Sequence, residues 1–85
     1  SMLSLGSVNQ ALLSPREVFL EAFRYKAVYF ILIHNHPSGD PAPSSADIAG
    51  THRILDASRI LEVGLIDHII IGDGRYFSMK EEGLI

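Results

Sequence analysis

The chain has 85 residues, 47% of them hydrophobic, with a formal net charge of −3 and no cysteine. This length supports one domain with a single small core and excludes a second core. The seven basic residues are scattered and the net charge is negative, so the composition gives no phosphate-binding stripe of the kind found in nucleic-acid-binding proteins. We find neither a signal peptide nor a transmembrane run, and together with the lack of cysteine this makes us expect a cytoplasmic protein.

The first predicted elements are a short strand over residues 7–12 and a helix that begins after Ser14. Pro15 suits the first helical position, and Ser14 with Glu17 has the spacing of a capping box. Glu17 and Glu21 fall on the polar side of this helix, so we give Glu17 a structural role. The apolar face that we expect to pack inward consists of Val18, Phe19, Ala22 and Phe23.

The next predicted strand, over residues 27–33, is apolar on both faces, which is typical of a strand in the middle of a sheet. It leads directly into His34-Asn35-His36-Pro37. Because residues two apart on a strand point the same way, the two histidines can present both imidazoles to one ion. A loop rich in proline, glycine and serine follows, and it bends the chain before the next helix.

A long helix is predicted from near Ser44 to about Val63, where Gly64 ends it. Steps of three and four residues from Asp47 give an inward stripe, and Asp47 heads that stripe in the first turn. A buried carboxylate needs a partner, and a cation shared with two nearby imidazoles would be one. The rest of the predicted stripe consists of Gly50, Ile54, Ala57 and Leu61.

His34, His36 and Asp47 would together supply three nitrogen and oxygen ligands to a metal ion. Three such ligands with a fourth position left for water are typical of a catalytic zinc site, whereas structural zinc is usually closed by four ligands, often thiolates. No cysteine is available to close the site. The pattern therefore predicts a catalytic metal site.

Simpler interpretations exist for each half of this pattern. Ser44 and Asp47 also fit a helix N-cap with an acidic residue in the first turn. A polar strand end can carry two histidines without binding a metal. The combination of HxHP, a loop of suitable length and SxxD favours the metal site, and capping and metal ligation are compatible.

The C-terminal part is predicted to form a hairpin that closes the sheet. A β-branched strand over residues 65–71 is followed by the Gly-Asp-Gly sequence of residues 72–74, a strong hairpin signal, and by a strand over residues 75–78. The serine and glutamate of residues 78–81 repeat the capping-box spacing, which predicts one brief helical turn near the end.

Four other polar residues have a functional interpretation beside a structural one. Asp67 and His68 could support a metal ligand, but strands commonly carry one satisfied polar group, so we favour structural roles for both. His52 lies well round the helix from Asp47 and is predicted to be a surface residue. Asp40 could touch a substrate, and we favour an Asx turn.

HxHP, six residues and SxxD together form the signature of the JAMM/MPN metalloproteases, and the chain resembles that family. Three segments narrow the likeness to its bacterial RadC-like branch. These are residues 34–41, residues 67–72 downstream and residues 15–19 upstream, which agree with that branch in order and spacing. The resemblance covers nearly the whole chain.

The resemblance implies a three-layer, cytidine-deaminase-like α/β fold with a mixed central sheet. It also implies that His34, His36 and Asp47 bind Zn²⁺, with water in the fourth position, and that the hydroxyl of Ser44 stabilises the oxyanion during catalysis. The implied activity is zinc-dependent hydrolysis of peptide, isopeptide or related amide bonds.

The family's general-base glutamate lies on a strand well upstream of HxHP, but only 33 residues precede His34. Ser1 before Met2 and the abrupt start are typical of a piece cut from a longer protein. We therefore expect residues 1–85 to be a single domain fragment that lacks its first strand or strands and the general base. A missing strand would leave a sheet edge unpaired, so we expect that two copies can form a homodimer.

Two other functions stay open from the sequence. RadC-like proteins have carried a DNA repair label, which implies a nucleic-acid-associated module, but the scattered basic residues argue against nucleic acid binding by this chain. A scaffold that keeps the fold for protein contacts without turnover is the third interpretation, and the intact HxH and Asp47 argue against it. Metal-dependent amide cleavage would favour the hydrolase, and salt-dependent DNA binding would favour the nucleic-acid module.

Overall fold

A computed structural model of the chain describes residues 2–7 and 14–85, which form four strands and two helices. The elements are β1 (Met2–Ser7), α1 (Pro15–Arg24), β2 (Tyr29–Asn35), α2 (Ser45–Leu61), β3 (Gly64–Gly72) and β4 (Arg75–Ser78). The strands form one sheet in the order β1-β2-β3-β4, in which the first three are parallel and β4 is antiparallel to β3. The predicted α/β fold with a mixed central sheet is confirmed. Neither of the two described helices has the length and apolar character needed to cross a membrane.

The N-terminal strand lies earlier than predicted. β1 shares only Ser7 with the expected range of residues 7–12, and the remainder of that range lies outside the described residues. β1 pairs along its whole length with β2, from Met2 opposite Tyr29 to Ser7 opposite His34. This parallel pairing places β2 in the interior of the sheet, as its apolar sequence predicts.

The start of α1 does not contain the predicted capping box. Ser14 occupies the N-cap position in an extended conformation, but its side chain makes no capping hydrogen bond. Its carbonyl accepts the first helical hydrogen bond from the Val18 N–H at 3.1 Å. Pro15 holds the backbone angle of the first helical residue and has no N–H to satisfy, so the helix begins without a side-chain cap.

Both helices pack against the same face of the sheet. Phe30 and Leu32 of β2 are buried on that face, and Phe30 meets Phe19 of α1 edge to face with ring centroids 5.5 Å apart. Ile54 of α2 completes the same cluster. Right-handed crossovers between parallel strands taken in spatial order put successive helices on one face. The described residues therefore make up a helical layer and a sheet layer of the fold.

One residue of the predicted inner face of α1 points outward. Val18, Phe19 and Ala22 are buried, but Phe23 is 52% exposed, and its ring centroid lies 6.2 Å from that of Phe19. Phe23 lies next to the C-terminal end of the helix at Arg24, where the chain turns away towards β2.

The buried stripe of α2 is rotated from the one predicted. The buried residues are Asp47, Thr51, Ile54 and Ser58, whereas Leu61 is 42% exposed and Gly50 and Ala57 are only half-buried. The prediction from apolar periodicity missed Thr51 and Ser58 because it counts only apolar residues. Threonine and serine can be buried when their hydroxyls donate to carbonyl oxygens. Thr51 and Ser58 both donate to helix carbonyls, at 2.7 and 2.6 Å.

Gly64 does not end α2, contrary to the prediction. The helix ends at Leu61, and its C-cap residue Glu62 adopts the left-handed conformation with a φ of 58°. Gly64 is instead the first residue of β3. A Cβ on Gly64 would lie 3.0 Å from the ring of Tyr29, so glycine serves close strand packing at this position.

The C-terminal hairpin is confirmed. Asp73 and Gly74 both have positive φ values, 52° and 72°, as a two-residue hairpin turn between β3 and β4 requires. After β4 the hydroxyl of Ser78 accepts the Glu81 N–H at 3.1 Å, which matches the predicted capping spacing. The chain there forms turns over residues 79–83.

Candidate metal centre

The two histidines of the HxH motif lie on one side of β2, as the alternation predicts. Phe30, Leu32 and His34 are the buried residues of the strand, so His34 continues the face that contacts the helices. His36 lies one residue beyond the strand, and its N–H donates to the Ile71 carbonyl of β3 at 2.9 Å. That bond extends the strand geometry to His36, so both imidazoles reach the carboxyl edge of the parallel strands.

Asp47 is held in place by a complete capping box at the start of α2. The hydroxyl of Ser44 accepts the Asp47 N–H at 3.0 Å, and Asp47 Oδ2 accepts the Ser44 N–H at 2.8 Å. The predicted cap is therefore confirmed. Because the same carboxylate is fully buried beside the two histidines, the cap also fixes its position in the cluster.

His34, His36 and Asp47 form a compact cluster. Asp47 Oδ1 lies 3.6 Å from His34 Nδ1, and Asp47 Oδ2 lies 3.1 Å from His36 Nε2. One ligand atom from each of the three residues lies within 4.8 Å of the others. Tetrahedral zinc with bonds of about 2.0–2.1 Å separates its ligand atoms by about 3.3 Å, so the cluster needs only a small contraction to surround an ion.

The hydrogen bonds of His36 leave one ring nitrogen for the cluster. Nδ1 lies 2.8 Å from the Asp40 carbonyl oxygen, which can only accept, so Nδ1 carries the hydrogen. In the neutral ring Nε2 then has a lone pair, and it faces Asp47 Oδ2, which is also an acceptor. These two acceptors require a hydrogen or a metal ion between them.

His34 is buried with an unpaired nitrogen. Within residues 2–7 and 14–85, His34 Nδ1 is one of two buried side-chain nitrogen or oxygen atoms with no hydrogen-bond partner. Burial lowers the pKa of His34 below its ordinary 6.5, an effect opposed by the charge of Asp47 and reinforced by His36. A neutral imidazole with an unpaired nitrogen 3.6 Å from a carboxylate oxygen fits a metal ligand.

An open cleft of about 950 Å³ lies beside His36. It is lined by residues 35–40 and by Gly72, Asp73 and Arg75 of the hairpin. The loop after His36 packs tightly on that hairpin, since a Cβ on Gly72 would lie 2.6 Å from the Gly39 carbonyl oxygen. Arg75 also donates to this carbonyl, at 3.2 Å. The cleft therefore has well-anchored walls, and His36 is the cluster residue that lines it.

Three other polar residues for which the sequence predicted structural or surface roles are also described. Asp40 makes the predicted Asx turn, accepting the Ala42 N–H at 3.0 Å. His52 is exposed, as predicted, and its Nε2 lies 2.8 Å from the Leu84 carbonyl oxygen. Asp67 accepts hydrogen bonds from the Ser78 hydroxyl and the Lys80 N–H, which supports its structural role.

Thr51 is a residue that the sequence interpretation missed, and it connects His68 to the cluster. Thr51 Oγ1 lies 2.7 Å from both the Asp47 carbonyl oxygen and His68 Nδ1. The ring of His68 is fully buried and stacked on His34 with centroids 6.1 Å apart. Burial lowers the pKa of His68 to about 4, so this ring is neutral near pH 7. The sequence signal that could have found Thr51 is its four-residue spacing from Asp47, which places both residues on the same face of a helix.

The chain's glutamates lie away from the cluster. Glu17 and Glu21 are on the outer side of α1, with Glu21 3.7 Å from Arg24, and Glu62 is the C-cap residue of α2. Glu81 and Glu82 belong to the exposed C-terminal turns. Among the described residues, the group that could hold a metal ion contains His34, His36 and Asp47 and no glutamate.

Comparison with known proteins gives one consistent family. A protein-family model described as RadC-like JAB domain matches residues 1–84. A UPF0758 protein of Desulfitobacterium hafniense is 53% identical over 85 residues, which is 100% of this chain and 37% of that protein. A UPF0758 protein of Methanococcoides burtonii is 52% identical over 84 residues, which is 99% of this chain and 37% of that protein. A UPF0758 protein of Bacillus cereus is 53% identical over 81 residues, which is 95% of this chain and 36% of that protein.

The chain therefore spans little more than a third of the length of these relatives. The match covers the HxHP motif, the SxxD motif and the hairpin that supports them, and the fold agrees with it. The chain belongs to the RadC-like JAB domain family.

Proposed function

We propose that this chain is the metal-binding part of a zinc-dependent hydrolase that cleaves peptide, isopeptide or related amide bonds. The observation that carries the proposal is the convergence of His34, His36 and Asp47 at the carboxyl edge of the sheet, beside an open cleft. Membership of the JAB domain family supports a hydrolase. Ligand sites in open α/β sheets commonly lie at this edge.

Zinc fits the donor set better than calcium or magnesium. Two imidazoles and one carboxylate are typical zinc donors, whereas calcium and magnesium prefer oxygen ligands alone. Three protein ligands leave a coordination position for a reactant. When bound, Zn²⁺ would supply Lewis-acid polarisation of the scissile carbonyl and activation of a water molecule.

The residues around the cluster have separable roles in this proposal. The Asp40 carbonyl holds His36 in the tautomer that directs Nε2 to the cluster, at 2.8 Å from Nδ1. The cap at Ser44 fixes the Asp47 carboxylate. Ser44 also takes the role of oxyanion donor, because a serine hydroxyl can accept from the Asp47 N–H and donate to a substrate oxygen at the same time.

General-base catalysis needs a group that the described cluster does not contain. A base must lie within hydrogen-bond reach of the proton that it takes, and the glutamates of this chain lie elsewhere. We therefore assign turnover to the full-length protein and metal binding to this chain. The net charge of −3 with scattered basic residues leaves our expectation of no nucleic acid binding in place.

The test uses the full-length Desulfitobacterium hafniense relative, which is 53% identical to this chain over its whole length. The protein is incubated with a proteome-derived peptide library and with folded proteins, and new amino termini and released side-chain amines are identified by mass spectrometry. We expect cleavage that stops with a chelator, returns with added zinc, and is absent when the histidine equivalent to His36 is replaced by alanine.

The matched control replaces the residue equivalent to His52, an exposed histidine outside the cluster, and should cleave like the natural protein. Two results would overturn the proposed activity. One is cleavage that the chelator and the His36 replacement leave unchanged, and the other is stoichiometric zinc without new termini in either substrate class.

A further inference from the structure

We infer that Thr51 and His68 form a hydrogen-bond relay that positions the metal ligands, and that neither residue is only a core side chain. This inference rests on the metal site of the proposed function. The relay runs from β3 through α2 to the backbone of Asp47, and it lies behind the cluster, where both members are fully buried.

The direction of the relay follows from the number of hydrogens available. A carbonyl oxygen only accepts, so the single hydroxyl hydrogen of Thr51 is donated to the Asp47 carbonyl, at 2.7 Å. Thr51 Oγ1 must then accept from His68, 2.7 Å away, which places a hydrogen on Nδ1 of that ring. His68 is thereby fixed in the Nδ1–H tautomer.

The other nitrogen of His68 is an unprotonated acceptor. Nε2 is buried and has no hydrogen-bond partner among the residues that the structure describes. A second hydrogen there would bury both a net charge and an unpaired N–H, which is costly in free energy. The geometry therefore gives a neutral ring with a donor facing Thr51 and a lone pair on the side away from it.

His68 touches two of the three proposed ligands by different routes. Its ring is stacked on that of His34, with centroids 6.1 Å apart and planes inclined by 18°. Through the Thr51 hydroxyl it reaches the backbone of Asp47 in the first turn of α2. The relay thus holds a ligand on β2 and a ligand on α2 at a fixed separation from β3.

A fixed separation matters because the affinity for a metal depends on how little the ligands must move. Residues that orient metal ligands from behind typically contribute about 10- to 100-fold to metal affinity. A side chain that only fills the core would change the stability of the metal-free protein but not the coordination geometry. This difference provides the test.

Two matched pairs of variants separate the hydrogen bonds from the packing. Thr51→Val keeps the branched shape and removes the hydroxyl, whereas Thr51→Ser keeps the hydroxyl and removes the methyl group. His68→Asn keeps an N–H donor near the position of Nδ1, whereas His68→Gln moves its amide towards the position of Nε2. Each variant is first compared with the unmodified chain by circular dichroism and thermal unfolding without metal.

Two readouts follow the metal site without any catalytic assay. Zinc affinity is measured by competition with a chromophoric chelator, and the coordination geometry is followed by the visible absorption of the Co²⁺-loaded protein. We expect Thr51→Val and His68→Gln to bind zinc at least about 10-fold more weakly and to change the Co²⁺ spectrum, and Thr51→Ser and His68→Asn to stay within about 3-fold of the unmodified chain. Equal affinities and spectra within each pair would overturn the inference.

A measurement on the metal-free, unmodified chain tests the relay even if a variant fails to fold. Long-range ¹H–¹⁵N NMR of the histidine rings should give the Nδ1–H tautomer for His68, and the Nε2–H tautomer would contradict the relay. Zinc binding without any hydrolysis by the full-length relative would remove only the proposed activity. Failure of the unmodified chain to bind zinc or Co²⁺ would remove the metal site, and the inference would fall with it.

Discussion

The layer between the sheet and α2 has two halves of opposite character. In one half Phe30 and Ile54 are fully buried and pack with Phe19 of α1 in an entirely apolar cluster. In the other half, on the same strand and the same helix, His34 and Asp47 are buried beside Thr51 and His68. One strand and one helix thus change from apolar to polar contacts within a few residues.

The two halves differ in what they contribute to folding. The apolar half stabilises the fold because burial of each large side chain contributes about 1.5–3 kcal/mol. The polar half contains two buried nitrogens without partners among the described residues, His34 Nδ1 and His68 Nε2, and a buried unpaired polar group costs about 1–3 kcal/mol. The comparison supports the proposed metal site, since packing alone would favour apolar residues in the polar half.

The largest expected effect comes from removing apolar contacts. Ile54→Ala deletes a side chain that is fully buried against both helix and sheet, so we expect the free energy of unfolding to fall by about 3–4 kcal/mol. Urea unfolding without metal measures this loss. Ile60→Ala is the matched control on the same helix, since Ile60 is 81% exposed, and it should stay within about 0.5 kcal/mol of the unmodified chain. Similar losses from both variants would contradict the placement of the core.

The polar half should contribute additional stabilisation when zinc is present. At a free zinc concentration about 100 times the dissociation constant, binding should raise the free energy of unfolding by about 2.7 kcal/mol. Asp47→Asn keeps an acceptor for the Ser44 N–H but removes the charge, so most of this increment should disappear. Unfolding with and without a chelator gives the increment.

Asp56→Asn is the control for the charge change. Asp56 is an exposed acidic residue on the same helix, paired with Arg59 at 3.5 Å, and this variant should keep the full zinc increment. An increment that survives in Asp47→Asn, or that disappears in Asp56→Asn, would show that zinc stabilises the chain from another place.

The smallest expected effect concerns the cap that holds Asp47. Ser44→Ala removes the hydroxyl that accepts the Asp47 N–H at 3.0 Å, so the free energy of unfolding should fall by about 1 kcal/mol. Ser14→Ala changes the N-cap of α1, whose side chain makes no capping hydrogen bond, and should have almost no effect. Thermal unfolding of both variants provides the comparison, and equal losses would mean that the two caps do not differ.

The local parts of this molecule were predictable from the sequence. The alternation that points His34 and His36 the same way, the cap at Ser44 and the hairpin after Gly72 each depend on residues a few positions apart. The proposed ligand set follows from these local features because one loop joins the strand and the helix that carry it.

The parts that depend on contacts between distant segments were not predictable. Thr51 pairs with His68 across 17 positions, and Thr51 belongs to the buried stripe of α2 that apolar periodicity did not predict. The end of α2 at Leu61 and the exposure of Phe23 likewise depend on how the chain meets β3 and the core. Propensity and periodicity describe one segment at a time, so they do not recognise such partners.

The central claim is that His34, His36 and Asp47 hold one zinc ion. It is tested most directly by metal analysis of the untagged chain and of His36→Ala after zinc is added and the excess is dialysed away. The account predicts about one equivalent of zinc per unmodified chain and none in the variant. No zinc in the unmodified chain, or an unchanged amount in the variant, would contradict it.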